Sequence, residues 1–120
     1  MMQFNTFANM APLLRERKPD IDCDAVIRFL EKYHSGEWIY PAALHRNLRI
    51  RISDVYEVLE LCVDAGLVEQ YLEIYCPNCK RFTGFRFKTL KEIPEEIGCV
   101  NCDEVMDDPE RHAIVIYRVV

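Results

Sequence analysis

The stretches YCPNCKRF (residues 75–82) and GCVNCDEV (residues 98–105) each carry Cys-x-x-Cys, pairing Cys76 with Cys79 and Cys99 with Cys102 across a spacer of residues 80–98. A two-residue gap lets both sulfurs of a pair turn toward one ion. The long spacer returns the chain so that the second pair can complete a tetrahedron, the arrangement a structural metal takes with thiolate ligands. Pro77-Asn78 and Val100-Asn101 fill two tight turns, where Pro and Asn are at home, and Gly98 precedes the second. The expectation is one structural Zn²⁺ held by Cys76, Cys79, Cys99 and Cys102, with iron as the alternative ion. A thioredoxin-like pair occurs once, at a helix start. The spacing is unlike that of ferredoxin clusters. A catalytic zinc keeps a position open for water, which a fourth thiolate here would fill. His34, His45 and His112 lie far from both pairs in sequence and are not assigned to the metal. Four thiolates around a divalent ion leave a charge of −2, which calls for backbone N–H donors nearby.

Over residues 71–120 this pattern resembles the zinc ribbon of transcription and translation factors. The resemblance implies two knuckles at hairpin turns joined by the metal, and it says nothing of the task.

The 120 residues allow one ordinary domain or two very small ones. Half of the side chains are apolar, enough for a packed core. No apolar run approaches the roughly 18 residues of a membrane span. The start, MMQFNTFANM, does not read as a signal peptide, so a cytoplasmic location and no membrane partner are expected. In that compartment six cysteines do not imply a disulfide framework. Cys23 and Cys62 stand alone in helical patterns and read as core fillers. The net charge of −5, without a basic block, favours solubility and disfavours non-specific nucleic-acid binding.

Ahead of the metal the chain reads as helical. DIDCDAVIRFLEKYHSG (20–36) offers Asp20 or Asp22 as N-cap, Val26, Ile27, Leu30 and Tyr33 at helical spacing, and Gly36 as its end. YPAALHRNL (40–48) predicts a short helix with Pro41 in its first turn. RIRI (49–52) is a connector. Ser53 is expected to cap a third helix that runs to about Ala65 and stops at Gly66, and LVEQYLEIY (67–75) reads as strand. Helix, short helix, turn, longer helix and strand resemble the winged-helix class of helix-turn-helix domains, with VYEVLELCVDAGLVEQ (55–70) the most familiar part. The expected fold is therefore α+β, a winged-helix-like helical domain packed with a small, four-cysteine, zinc-ribbon-like β subdomain. Its divisions are an amphipathic segment over 1–19, the helical domain over 20–71 and the metal domain over 72–120. The first wing strand runs almost directly into Cys76, so a wing hairpin needs a second strand around Phe85-Arg86-Phe87.

A helix that reads DNA presents Arg, Lys, Asn or Gln to base edges. On the third helix Val55, Val58, Leu59 and Cys62 form the buried stripe. The opposite side carries Glu57, Glu60 and Asp64, and no Arg, Lys, Asn or Gln lies between Asp54 and Glu69. The leading expectation is a non-enzymatic protein-interaction module, a small adaptor or regulator using this acidic face. The alternative is a DNA-binding regulator holding phosphates through Arg46, Arg49 and Arg51, with Lys80 and Arg81 after the first knuckle. Phe4, Phe7 and Ala11 recur at helical spacing beside Met10, and RHAIVIYRVV (111–120) is a strand apolar on both faces. Apolar surface at both termini needs a cover. A homodimer through residues 3–14 and the strand 113–120 is expected to supply it, as the winged-helix resemblance also implies. No phosphate loop or nucleophile elbow occurs, so neither an enzyme nor a small-molecule substrate is expected.

Overall fold

The computed structural model describes residues 6–120; Phe4, one of the expected docking residues, lies outside the described residues. The chain is mixed helix and sheet and folds as two compact units, Met1–Glu69 with Tyr117–Val120, and Gln70–Ile116. Among the described residues no helix is long and apolar enough to cross a membrane.

The first unit begins with a 3-10 turn, Phe7–Met10, that leads into α1 (Ala11–Arg17) with proline in its first turn. Phe7, Met10 and Leu14 are buried. Phe7, expected as a docking residue, is thus buried, and the described part of the segment covers its apolar side within its own unit. In α2 (Cys23–Leu30) the Asp22 carboxylate accepts from the Ala25 N–H at 3.1 Å, an N-cap bond that orients the helix so that Val26, Ile27 and Leu30 are buried. The helix stops well short of Gly36. The N–H groups of Lys32 and Tyr33 turn back to Phe29 and Leu30, and the Glu37 carboxylate takes both the backbone N–H and the ring Nδ1 of His34. That local capture competes with helix continuation.

A two-residue strand that the sequence pattern does not announce, β1 (Trp38–Ile39), pairs antiparallel with the end of the C-terminal strand (Ala113–Val119), matching Ile39 with Tyr117. α3 (Pro41–Leu48) starts on Pro41 and buries Leu44. α4 (Ile52–Asp64) starts before Ser53, so Ser53 is not its cap; Arg51 holds that position without a side-chain bond. Val55, Val58, Leu59 and Cys62 are fully buried, the stripe expected from the helical period. Gly66, at φ 79, carries the chain out of the helix.

The second unit contains most of β2 (Val68–Tyr75), together with β3 (Phe82–Phe87), β4 (Ile97–Gly98) and β5 (Val105–Met106). The C-terminal strand, β6, completes a four-stranded sheet of order β1-β6-β2-β3, while β4 and β5 form a separate pair. β2 and β3 pair through Leu72–Phe87, Glu73–Arg86 and Tyr75–Phe82, with an irregularity between Glu73 and Tyr75. The buried Thr83 hydroxyl donates to the Ile74 carbonyl at 2.8 Å, satisfying a group near that irregularity. The buried Glu73 accepts from Arg86 Nε at 2.8 Å. The last four residues, expected with the metal domain, belong instead to the first unit. Tyr117 pairs with Ile39 and its hydroxyl donates to Glu60, and the Val120 N–H bonds the Leu67 carbonyl. Ile116, Tyr117 and Val119 are buried, whereas Ile114, Arg118 and Val120 are exposed, so the tail is covered on both faces only along part of its length.

One ionic contact fixes the start of α4. Asp54 is buried in its first turn and accepts from Lys18 Nζ at 2.7 Å and Arg51 Nε at 3.1 Å. Lys18 also donates to Glu57 at 2.7 Å. Lys18, reinforced by Arg51, holds the Asp54 carboxyl below the usual carboxylate range against the opposing effect of burial. Lys18→Met is expected to lower the melting midpoint by several degrees, and by more than Glu57→Gln, because it leaves a buried carboxylate with one partner fewer. Thermal circular dichroism at neutral pH checks this, and equal midpoints would contradict it. A lowered folded-state pKa contributes stability above the ordinary carboxylate pKa, and that contribution fades as pH falls through the lowered value. The gap between the native chain and Asp54→Asn should therefore close in acid.

Candidate metal centre

The two knuckles are built alike. In the first, the Cys76 N–H bonds the Arg81 carbonyl at 2.9 Å and the Lys80 N–H bonds the Cys76 carbonyl at 3.0 Å. In the second, the Cys99 N–H bonds the Glu104 carbonyl and the Asp103 N–H bonds the Cys99 carbonyl, both at 2.9 Å. Each loop closes through a residue at positive φ, Lys80 at 63° and Asp103 at 62°. Such a conformation is unusual for a lysine and more accessible to an aspartate. The repeated geometry turns both sulfurs of each pair the same way.

All four Sγ atoms lie within 4.8 Å of one another. The Cys76 and Cys102 sulfurs are 3.6 Å apart, and those of Cys79 and Cys99 are 3.7 Å apart. A disulfide requires about 2.05 Å, and the cysteines are free. A tetrahedral ion with metal–sulfur bonds of about 2.3 Å sets its sulfurs about 3.8 Å apart. The donor set therefore fits a four-coordinate thiophilic cation. Cys76 and Cys99 are buried, Cys79 and Cys102 half-buried, and Ile74, Ile97 and Met106 pack around them as an apolar wall.

The expected N–H donors are present. The Cys79 N–H points to the Cys76 sulfur at 3.5 Å, and the Asn78 amide donates to the Cys102 sulfur at 3.6 Å. Burial pushes the Cys79 thiol up to about 11, opposed by the backbone N–H of Arg81. The backbone N–H of Glu104, followed by the Asn78 amide, brings the Cys102 thiol down to about 7. Arg81 and Glu104 hold equivalent places in the two knuckles. Metal binding would deprotonate the set and use these N–H groups to spread its charge.

β3 carries the second knuckle. The Val100 N–H bonds the Thr83 carbonyl at 3.2 Å, and the Asn101 amide donates to the Phe82 carbonyl at 2.6 Å. Gly84, at φ +100°, lies under Val100; a Cβ there would meet Val100 Cγ2 at 2.9 Å. The sequence marks Asn78 and Asn101 as turn residues but does not reveal their bonds to sulfur and to β3. It gives no sign of the part played by Gly84.

The other expected site residues are dispersed. Arg46 and Arg49 are exposed, Arg49 at φ 55 where α3 ends. Arg51 is tied to Asp54 and, at 3.8 Å, to Asp20. Lys80 and Arg81 are exposed on the first knuckle. Glu57 is paired with Lys18 and Glu60 accepts from the Tyr117 hydroxyl at 2.9 Å, whereas Asp64 is exposed. Lys18, which sequence reading passes over, bridges Asp54 and Glu57, and with Arg17 it lines the acidic face of α4.

No family model, curated protein or solved structure matches the chain.

Gly84→Ala is expected to destabilise the protein by about 1–3 kcal/mol through its left-handed backbone and the contact with Val100. Adding Val100→Ala should recover only part, since it relieves the contact and not the φ. Denaturant titration of the single and double variants checks this; full recovery, or no loss in Gly84→Ala, would contradict it.

Proposed function

We propose that this chain is a non-enzymatic protein-interaction module on a winged-helix-like frame, stabilised by one structural zinc ion. The frame is supported by the order α2, β1, α3, α4, β2, β3. Here β2 and β3 act as the wing, and its tip is the first cysteine knuckle. Zinc is supported by four thiolate donors at near-tetrahedral spacing with no oxygen donor among them.

The observation that carries the reading is the charge on α4. Its exposed side presents Tyr56, Glu57, Glu60 and Asp64, and its span contains no Arg, Lys, Asn or Gln. A phosphate lattice would meet like charge there. The chain just after α1 is also held against the first turns of α4, because Lys18 bridges Asp54 and Glu57. A partner protein with a complementary basic surface suits this face better than a DNA groove.

DNA binding through Arg46 and Arg49 is the competing reading, and their exposure favours it. Fluorescence anisotropy with labelled duplex DNA separates the two. The module reading expects negligible binding near physiological salt and no effect of Arg46→Ala with Arg49→Ala. Tight, steeply salt-dependent binding that these substitutions abolish would overturn it. Elemental analysis should give one zinc per chain, and Cys76→Ser should abolish it.

A further inference from the structure

The second unit contains a cation-lined groove beside the first knuckle. Its volume is about 440 Å³, and its walls include Tyr75, Pro77, Lys80, Arg111, His112 and Ile114. Two features of the chain bring the cations together. The left-handed backbone at Lys80 turns its side chain outward just after Cys79, and a 3-10 turn, Pro109–His112, ends in Arg111 and His112. Among the described residues the Lys80 and Arg111 side chains have no carboxylate partner. His112 Nε2 lies 3.4 Å from Asp108 Oδ1. Pro77 and Ile114 are exposed, Ile114 by 40%, so the cations flank an open apolar wall.

We propose that this groove takes a short acidic peptide segment of a partner protein, with Lys80 and Arg111 pairing carboxylates and the Pro77–Ile114 wall receiving an adjacent apolar side chain. The inference rests on the interaction-module reading and adds a second surface to it, opposite in charge to α4. Charge complementarity selects the occupant. The cationic patch is small. Asp108 and Glu110 belong to the same turn as Arg111, and Asp103 and Glu104 stand on the other knuckle at the positions of Lys80 and Arg81. Asp108 reaches the groove wall at His112, 3.4 Å away, so the patch suits one or two carboxylates placed at Lys80 and Arg111 better than a long polyanion such as single-stranded nucleic acid, which would run into more of these acidic side chains.

The test is anisotropy of the metal-loaded full chain with a short labelled peptide of glutamates and interspersed leucines. The controls are the same peptide with lysine for glutamate, and labelled oligo-dT of equal length. The proposal expects the acidic peptide to bind at least about tenfold more tightly than either control. Arg111→Glu, which is remote from the cysteines in sequence, should remove that preference with metal content unchanged, and Lys80→Glu should remove it as well. Equal binding of the acidic and basic peptides, or oligo-dT binding as tightly as the acidic peptide, would overturn it. Acidic-peptide binding unaffected by either substitution would overturn this site while leaving the module reading intact. DNA binding through Arg46 and Arg49 would remove that reading independently.

Discussion

Four sulfurs held within 4.8 Å of one another repel once ionised, and a cation at their centre would turn that repulsion into attraction. The second unit is organised around this constraint. Its strands β4 and β5 are two residues each, and the apolar cluster at the cysteines consists of Ile74, Ile97 and Met106 with Phe87, Ile93 and Ala113 packed against them. So small a core supplies limited hydrophobic stabilisation. The backbone is therefore arranged to serve the sulfurs: two knuckles of the same hydrogen-bond pattern, N–H groups of Arg81 and Glu104 aimed at the outer cysteines, and a glycine in β3 that lets Val100 approach.

The first unit depends on ordinary burial. Phe7, Met10 and Leu14 from the N-terminal segment join the stripe of α4 and the residues of α2 among the buried side chains. Its one unusual element is the buried Asp54, which ties the residue after α1 to the first turn of α4 through Lys18. That contact changes the meaning of the acidic helix. Glu57 is paired with Lys18, which offsets part of the negative charge, whereas Glu60 accepts from the neutral Tyr117 hydroxyl and keeps its charge. The side chains a helix carries, rather than its class of fold, decide what it can touch.

Features set by local chemistry were legible in the sequence. The cysteine spacing picked out the four sulfurs that come together, the helical period picked out the α4 stripe, and Pro41 and Gly66 marked a start and a stop. Features set by contacts distant in sequence were not. Ser53 looked like a cap, yet α4 begins at Ile52 with Asp54 anchored to Lys18, 36 positions earlier. One miss was local: the helix over 20–36 looked longer because the capture of the His34 N–H by Glu37, three residues on, leaves no mark in the hydrophobic period. β1 is too short to leave a pattern and exists because the C-terminal strand pairs with it. The phenylalanines near the start announced apolar surface in need of a cover, without saying that the cover for Phe7 is its own unit.

If the metal-bound cysteine cluster holds the second unit together while the first is held by its own apolar core, removing the metal must loosen one and spare the other. Amide hydrogen exchange of the metal-loaded protein, before and after chelation under reducing conditions, reads both at once. The amides of Cys76, Lys80, Cys99 and Asp103, all hydrogen-bonded within the knuckles, should lose protection on chelation. Those of Val58 and Leu59 in the buried stripe of α4 should keep theirs. Unchanged protection at the four knuckle amides after the metal has left would contradict the dependence of this unit on its metal.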